Sequence, residues 1–297
     1  MYLFLLAGFL GFYTLFLRVN VFVKIIAIGG FLNCFFSAAP FLSFSSYLIL
    51  IASCYFYILL TKIKNWTFVF NILFTLLLLN CFLMLMQSIN RDSLLNFGLD
   101  KGVICWGIIA NRMQFQSFLI ILFALLIQKF RKKTLAPITL SGVLYTVLYG
   151  GIKLHIYGSF LVRLTCWKAT ITLAMRHPIT GWGIGSYRYV FPALSKAIVP
   201  GQVFASAHND WLQVLFETGF PGLIVMISIF GILFYKAIQT RKWLLVTGLL
   251  MVCYDLSVHF PMREVQCIPI LIVFLAYAGG EVCRGTWRNA GENAPTK

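Results

Sequence analysis

The chain has 297 residues, of which 60% are hydrophobic, 29 are Phe and only 11% are charged. Soluble domains run at about 45–50% apolar and about 25% charged, so this composition excludes an ordinary water-soluble fold and points to an all-α polytopic membrane protein. The formal charge of +16 does not imply nucleic acid, because the basic residues gather in short loops between apolar runs, the positive-inside pattern, and membrane lipids are the expected surroundings.

A crossing needs about 20 apolar residues. In chain order, candidate spans fall at 1–17, 21–39, 41–60, 67–86, 104–128, 135–151, 220–235, 243–260 and 267–280, about nine transmembrane helices. The first run lacks a basic leader or a small-residue cleavage site and reads as a retained span. The second and third form a hairpin turned at Pro40. Placing the basic clusters at 18–24, 61–64, 129–133 and 236–242 in the cytoplasm, with the basic tail 281–297, puts the N-terminus outside and the C-terminus inside. The only long hydrophilic stretch, 153–218, then faces outside as one large extracytoplasmic loop. No repeat or low-complexity tract divides the chain, so residues 1–297 read as a single membrane domain, with 219–280 as its C-terminal helices. The eight Cys show no C-x-x-C spacing and read as buried free thiols; Cys105 and Cys166 fall toward the outer side, with nothing to pair them.

The outer loop opens at 160–176 with an amphipathic helix suited to the membrane surface. Leu161, Leu164, Ile171 and Met175 form its apolar stripe, and Arg163, Cys166 and Thr170 lie together on another face. Pro178 ends it, and the glycines of Gly181-Trp-Gly183-Ile-Gly185 form a turn that is not a dinucleotide fingerprint. The loop closes on Ser206-Ala-His208-Asn209-Asp210-Trp-Leu-Gln213, followed by Glu217 and Gly219-Phe-Pro-Gly222. Ser206 or Asp210 can cap a helix here, with Gln213 completing a capping box. Asn209, Gln213 and Glu217 then share one helix face, with His208 beside its top. Polar residues at the mouth of a membrane segment are costly unless they line a site. Asp255, inside an apolar run, needs a polar partner for the same reason.

An enzyme on the outer side has no nucleoside triphosphate to draw on and must use an energised lipid or an ion gradient. Between 153 and 219 the acidic residues are Asp210 and Glu217 alone, poor provision for Mg²⁺ or Ca²⁺, and the four His form no H-E-x-x-H pair. Neither a metal nor another cofactor is expected. Basic residues abound instead: Arg163, Lys168, Arg176, Arg188 and Lys196, with Arg112 from another span. Arg grips phosphate oxygens through paired hydrogen bonds, and a neutral His can take a proton from a hydroxyl. Such a set suits transfer from a diphosphate leaving group.

These residues resemble the O-antigen ligase superfamily, bacterial membrane enzymes that ligate or polymerise surface polysaccharides carried on undecaprenyl diphosphate. His208-Asn209 followed by Gly219-Phe-Pro-Gly222 is similar to its signature. Arg163-Leu-Thr-Cys-Trp167 with Pro178-Ile-Thr-Gly181-Trp-Gly183 is similar to its R-x-x-x-W and P-x-x-G-x-G run. Asn111-Arg112-Met113-Gln-Phe115 resembles its N-R-N-x-F segment, with Met113 for the second Asn. Val258-His259-Phe260-Pro261-Met262 resembles its D-F-P-L segment, with His259 for Asp. A further Arg usual in the family is missing where this chain reads Leu140-Ser-Gly-Val-Leu-Tyr145, and the chain is shorter than is usual.

The resemblance implies an inner-membrane glycosyltransferase, its active side facing the periplasm. The donor would be an undecaprenyl diphosphate-linked glycan, and the acceptor a lipid A core for a ligase or a lipid-linked glycan for a polymerase. His208 would be the catalytic His and Arg163 the diphosphate-binding Arg, with Arg112, Arg188, Asn209 and Glu217 toward the substrates. The plainer reading keeps His208 as a helix-start residue bonded to a carbonyl and Arg163 as a lipid-anchoring side chain. A lipid-linked glycan transporter or an inactive accessory protein would use the same basic loop without chemistry.

Overall fold

The computed structural model describes residues 21–89, 112–128, 156–196, 204–264 and 267–292, and the regular elements among these described residues are all α-helices. They are α1 (Val21–Phe35), α2 (Pro40–Thr61), α3 (Trp66–Ile89), α4 (Arg112–Leu126), α5 (Ile156–Ala174), α6 (Tyr187–Ser195), α7 (Asp210–Gln239), α8 (Trp243–Val258) and α9 (Cys267–Glu292). The expected spans at 1–17 and 135–151, residues 104–111 of the fifth, Cys105 and the basic cluster at 129–133 lie outside the described residues. By length and composition α2 and α7 are able to cross a membrane; α1, α3, α4, α8 and α9 hold shorter apolar stretches.

The hairpin expected at Pro40 forms as read. Pro40 begins α2, where its missing N–H would have had no helical partner. The helices pack as a bundle: α1 on α2, α2 on α9, and α4 on both α8 and α9, with α7 against α5 and α8. Connectivity then separates two ends. One end gathers the α1–α2 turn, the loops before α6 and α7, and the α8–α9 connection. The opposite end holds Lys62, Lys64, Lys236 and Arg241. There Lys242 Nζ donates to Glu281 Oε2 at 2.8 Å, and Trp66 meets Tyr277 edge-on at 5.3 Å. α9 runs on to Glu292, so the first part of the expected basic tail is helical.

Apolar side chains fill the core and also cover much of the outside, and a set of polar side chains is enclosed with them. Phe36, Phe41, Ile49, Leu59, Phe68, Ile224 and Ile227 stand outward, while Ser43, Ser117, Thr170, Gln213, Glu217 and Asp255 are buried. α5 shows the same pattern in miniature. Its stripe of Leu161, Leu164 and Ile171, continued by Met175 just past its end, is exposed, and Cys166 and Thr170 are fully buried. Such surfaces are unfavourable in water but match hydrocarbon, where lipid covers the apolar face and polar groups must find partners inside.

α7 is longer than expected, because the polar helix from Asp210 and the apolar span after Gly219 are one element joined by a kink. Gly219 has φ 68° and ψ −167°, outside helical space. Pro221 has no N–H to give the Glu217 carbonyl, and Gly183 N–H takes that carbonyl at 2.9 Å. Trp182 N–H likewise bonds the Phe216 carbonyl at 2.9 Å, while Phe220 N–H turns to Pro178 O at 2.7 Å. The Gly181–Gly185 loop is thus stitched to the kink by exchanged backbone bonds. A Cβ on Gly219 would lie 2.5 Å from Pro178 O. We therefore expect Gly219→Ala to destabilise the purified protein by at least about 1–3 kcal/mol, the scale of a forced backbone outlier. Gly231→Ala, in open space on the same helix, should be neutral or stabilising by up to about 1 kcal/mol in the same thermal unfolding measurement.

Candidate active site

The start of α7 is set by Asn209. Its backbone is extended and its Oδ1 accepts from Leu212 N–H at 3.1 Å, so the cap is neither Ser206 nor Asp210. Asp210 is unavailable because it is fully buried and its Oδ2 accepts from Met262 N–H at 2.9 Å. Gln213 does reach back, but to Ala207, whose N–H it accepts at 3.2 Å. Its Nε2 donates forward to Glu217 Oε1 at 3.1 Å, which confirms that the two share a face.

That arrangement leaves His208 at a left-handed backbone position, φ 51°. Its ring stands edge-on to Phe260, centroids 4.8 Å apart, and its Nδ1 is buried without a hydrogen-bond partner. Burial first, then the nearby Arg163 and His259, hold the imidazole down at about 4. It is therefore neutral at any ordinary working pH.

Arg163 arrives from α5. Its Nη1 donates to the Val258 carbonyl at 2.9 Å. One turn later Trp167 Nε1 donates to Ala207 O at 2.8 Å, so the R-x-x-x-W spacing lets one face of α5 hold two remote segments. On α7, Trp211 Nε1 donates to Ser257 Oγ at 3.2 Å. Residues 257–260, at the end of α8, thus form the wall on which Arg163 and His208 converge.

The same wall brings residues that the sequence reading had not joined. Arg263 Nη2 donates to Glu217 Oε2 at 2.6 Å, and Gly185 N–H donates to that same oxygen at 2.9 Å. Glu217 is only 1% exposed and both its oxygens are engaged. It faces the glycine loop and the α8–α9 connection instead of standing free toward a substrate. His259 Nδ1 lies 2.6 Å from Asp255 Oδ1, and Ser117 Oγ donates to Asp255 Oδ2 at 2.5 Å. Asp255, which inside an apolar run needs a polar partner, finds two, and the i, i+4 spacing to His259 is the readable clue. Arg263 and Ser117 carried no motif and were missed.

Other expected residues are not drawn in. Arg188 is exposed on α6. Arg112 is the first residue of α4, and its side chain lies outside the described residues. Asn209 is half-buried beside His208, with its oxygen committed to the cap. Among the described residues no group of three or more His, Cys, Asp or Glu is arranged to hold a metal ion. Two open apolar grooves, one along α3 and one between α2 and α9, include neither His208 nor Arg163.

Comparison with known protein families matches the family model described as O-antigen ligase over residues 30–227. No curated protein and no solved structure matches the chain.

Two outcomes follow from the geometry. Arg263→Met leaves a buried carboxylate unpaired and should cost about 2–3 kcal/mol, once water at the partly exposed guanidinium is allowed for. Adding Glu217→Leu should recover part of that loss in a double-mutant cycle. For His208, the folded-state value of about 4 lies below the unfolded value of 6.5. The unfolded chain therefore binds the proton first, and stability should fall as pH drops from about 6.5 toward 4. His208→Gln should flatten that part of the melting-temperature profile.

Proposed function

Because the chain belongs to the O-antigen ligase family, matched over the larger part of its length, we propose that it is an inner-membrane glycosyltransferase of the ligase type. It moves a glycan from undecaprenyl diphosphate to a hydroxyl of a lipid A core. It crosses the membrane about nine times, with the N-terminus and the site end on the periplasmic side and the basic end in the cytoplasm. Outward apolar side chains and the cluster of Lys62, Lys64, Lys236, Arg241 and Lys242 at the far end of the bundle support that placement.

The observation that carries the reading is the convergence of Arg163 and His208, 45 positions apart, on residues 258–260. One donor of the Arg163 fork is anchored on the Val258 carbonyl, which orients the guanidinium and leaves its other N–H groups for diphosphate oxygens. As the bond from the anomeric carbon to the diphosphate breaks, negative charge grows on the leaving oxygens, and a fixed cation there lowers the barrier. His208 is neutral, so it accepts the hydrogen of the incoming hydroxyl and does not compete as a cation. The Asn209 amide N–H₂, beside it, meets a sugar oxygen. Arg112 and Arg188 add to the positive field that draws the anionic donor. Glu217 serves the site from behind, holding Arg263 and the glycine loop in place. Direct displacement inverts the anomeric carbon, so the product linkage is opposite to that of the donor.

His208→Ala should lower glycan transfer by about 10²–10⁴-fold, the range of general acid–base catalysis. In cells expressing the variant at the normal level, long glycans should accumulate on carrier lipid while surface glycan disappears. Single repeats on the core would instead identify a polymerase. Unchanged surface glycan would refute a transferase and leave transport of lipid-linked glycan as the activity.

A further inference from the structure

His208 holds a left-handed backbone, φ 51°, which residues other than Gly rarely adopt. Arg241, the other described non-Gly residue of this kind, lies just past the end of α7, where that conformation commonly closes a helix. His208 instead stands before a helix begins. Such an outlier persists only where its surroundings over-determine it.

The surroundings do so from both sides. Ala207, the residue before, is fully buried, and side chains take both its N–H and its C=O. Its N–H donates to Gln213 Oε1 at 3.2 Å, and its carbonyl accepts from Trp167 Nε1 at 2.8 Å. Asn209, the residue after, accepts from Gln213 N–H on its carbonyl at 3.0 Å and from Leu212 N–H on its Oδ1 at 3.1 Å. Gln213 therefore grips the chain on each side of His208, once with its side chain and once with its backbone. Its amide N–H₂ is tied in turn to Glu217, which Arg263 and the Gly185 N–H hold in place.

The imidazole has no comparable tether. A catalytic His is commonly oriented by a hydrogen bond at its second ring nitrogen, but Nδ1 of His208 is buried without a partner. The ring as a whole is only half-buried, so Nε2 is the nitrogen left to meet an acceptor hydroxyl. Phe260 supports the ring edge-on, a contact that steadies it without fixing which way its nitrogens face. The direction of the ring is therefore set by the backbone from which it projects.

Resting on the transferase reading above, we infer that Trp167 and Gln213 are positioning residues: by clamping Ala207 they hold His208 in the left-handed conformation that aims its imidazole at the acceptor hydroxyl. Neither touches the substrate. Trp167 lies one turn from Arg163 on α5, yet it acts through His208 and not through the grip on the diphosphate.

Trp167→Phe removes the donor and keeps an aromatic ring, so it isolates the hydrogen bond to Ala207. Membranes from source cells lacking the chromosomal copy supply lipid-linked glycan, and released undecaprenyl diphosphate is measured by mass spectrometry at equal amounts of folded protein. Release should slow by about tenfold, within the loss of about 10²-fold that a misplacement of about 1 Å can bring. The purified protein should bind undecaprenyl diphosphate as tightly as before, whereas Arg163→Ala should weaken that binding severalfold. Carbethoxylation of His208 by diethyl pyrocarbonate, read on its own peptide, should quicken severalfold, with the exposed His177 as the unchanged control. An unaltered carbethoxylation rate at His208, an unaltered release rate, or a loss of undecaprenyl diphosphate binding to match Arg163→Ala would each overturn the inference. If membranes with the unaltered protein release no more than membranes without it, the transferase reading itself fails, and the carbethoxylation arm still reports whether Trp167 holds His208. Should Trp167→Phe not fold, Gln213→Leu takes its place. It frees the Ala207 N–H while Arg263 and Gly185 keep Glu217, and the same outcomes support or overturn the clamp.

Discussion

A carboxylate with almost no access to solvent anchors this architecture. Glu217 stands just before the kink of α7 and gathers Arg263, the Gly185 N–H and the Gln213 amide onto its two oxygens. Three segments remote in sequence are joined there: the glycine loop, the first turns of α7 and the connection between α8 and α9. A charge in so enclosed a place is tolerable only when every oxygen is bonded and a cation is at hand. The position of Arg263 therefore follows from that of Glu217, and with it the path of residues 257–264. That path supplies the Val258 carbonyl for Arg163 and the Phe260 ring for His208.

The kink works together with that carboxylate. A straight helix through 210–239 would carry its backbone bonds across Gly219, but Pro221 withdraws one donor and the left-handed Gly219 turns the chain aside. The freed carbonyls of Phe216 and Glu217 are taken by Trp182 and Gly183. Unsatisfied backbone groups are expensive wherever water is scarce. The glycine loop is therefore part of α7 in energetic terms, although 24 residues (186–209) lie between them in the chain.

Much of this was legible beforehand. Helices around 40–61, 66–89 and 243–258 follow from apolar length alone, and Pro40 marked its turn. The polar face of α5 was read correctly from spacing, as Cys166 and Thr170 turn inward and Leu161 and Leu164 outward. Arg163 and His208 were singled out by residue type and by resemblance. What could not be seen was which polar group answers which. Asn209 caps α7 because Asp210 is occupied by Met262, a residue 52 positions away. Glu217, expected near substrate, is instead bound to Arg263, which no local pattern marked. Asp255 announced a need for a partner, and its two partners come from one turn ahead and from α4.

The division has a physical cause. Composition and periodicity report how each segment meets its solvent, and that requirement is local: runs of Leu, Ile and Phe must be covered by lipid or by one another, and the helices, the turn at Pro40 and the break at Gly219–Pro221 follow from it. Pairing of buried charges is not local. Ser117, Asp255 and His259, or Glu217 and Arg263, become neighbours only when the bundle closes, because a carboxylate shut away from water accepts whichever donor the packed helices bring within 3 Å. The amino-acid sequence by itself determined the helices, their apolar faces and the polar residues that need partners inside. Tertiary packing alone decided which of those residues stand together.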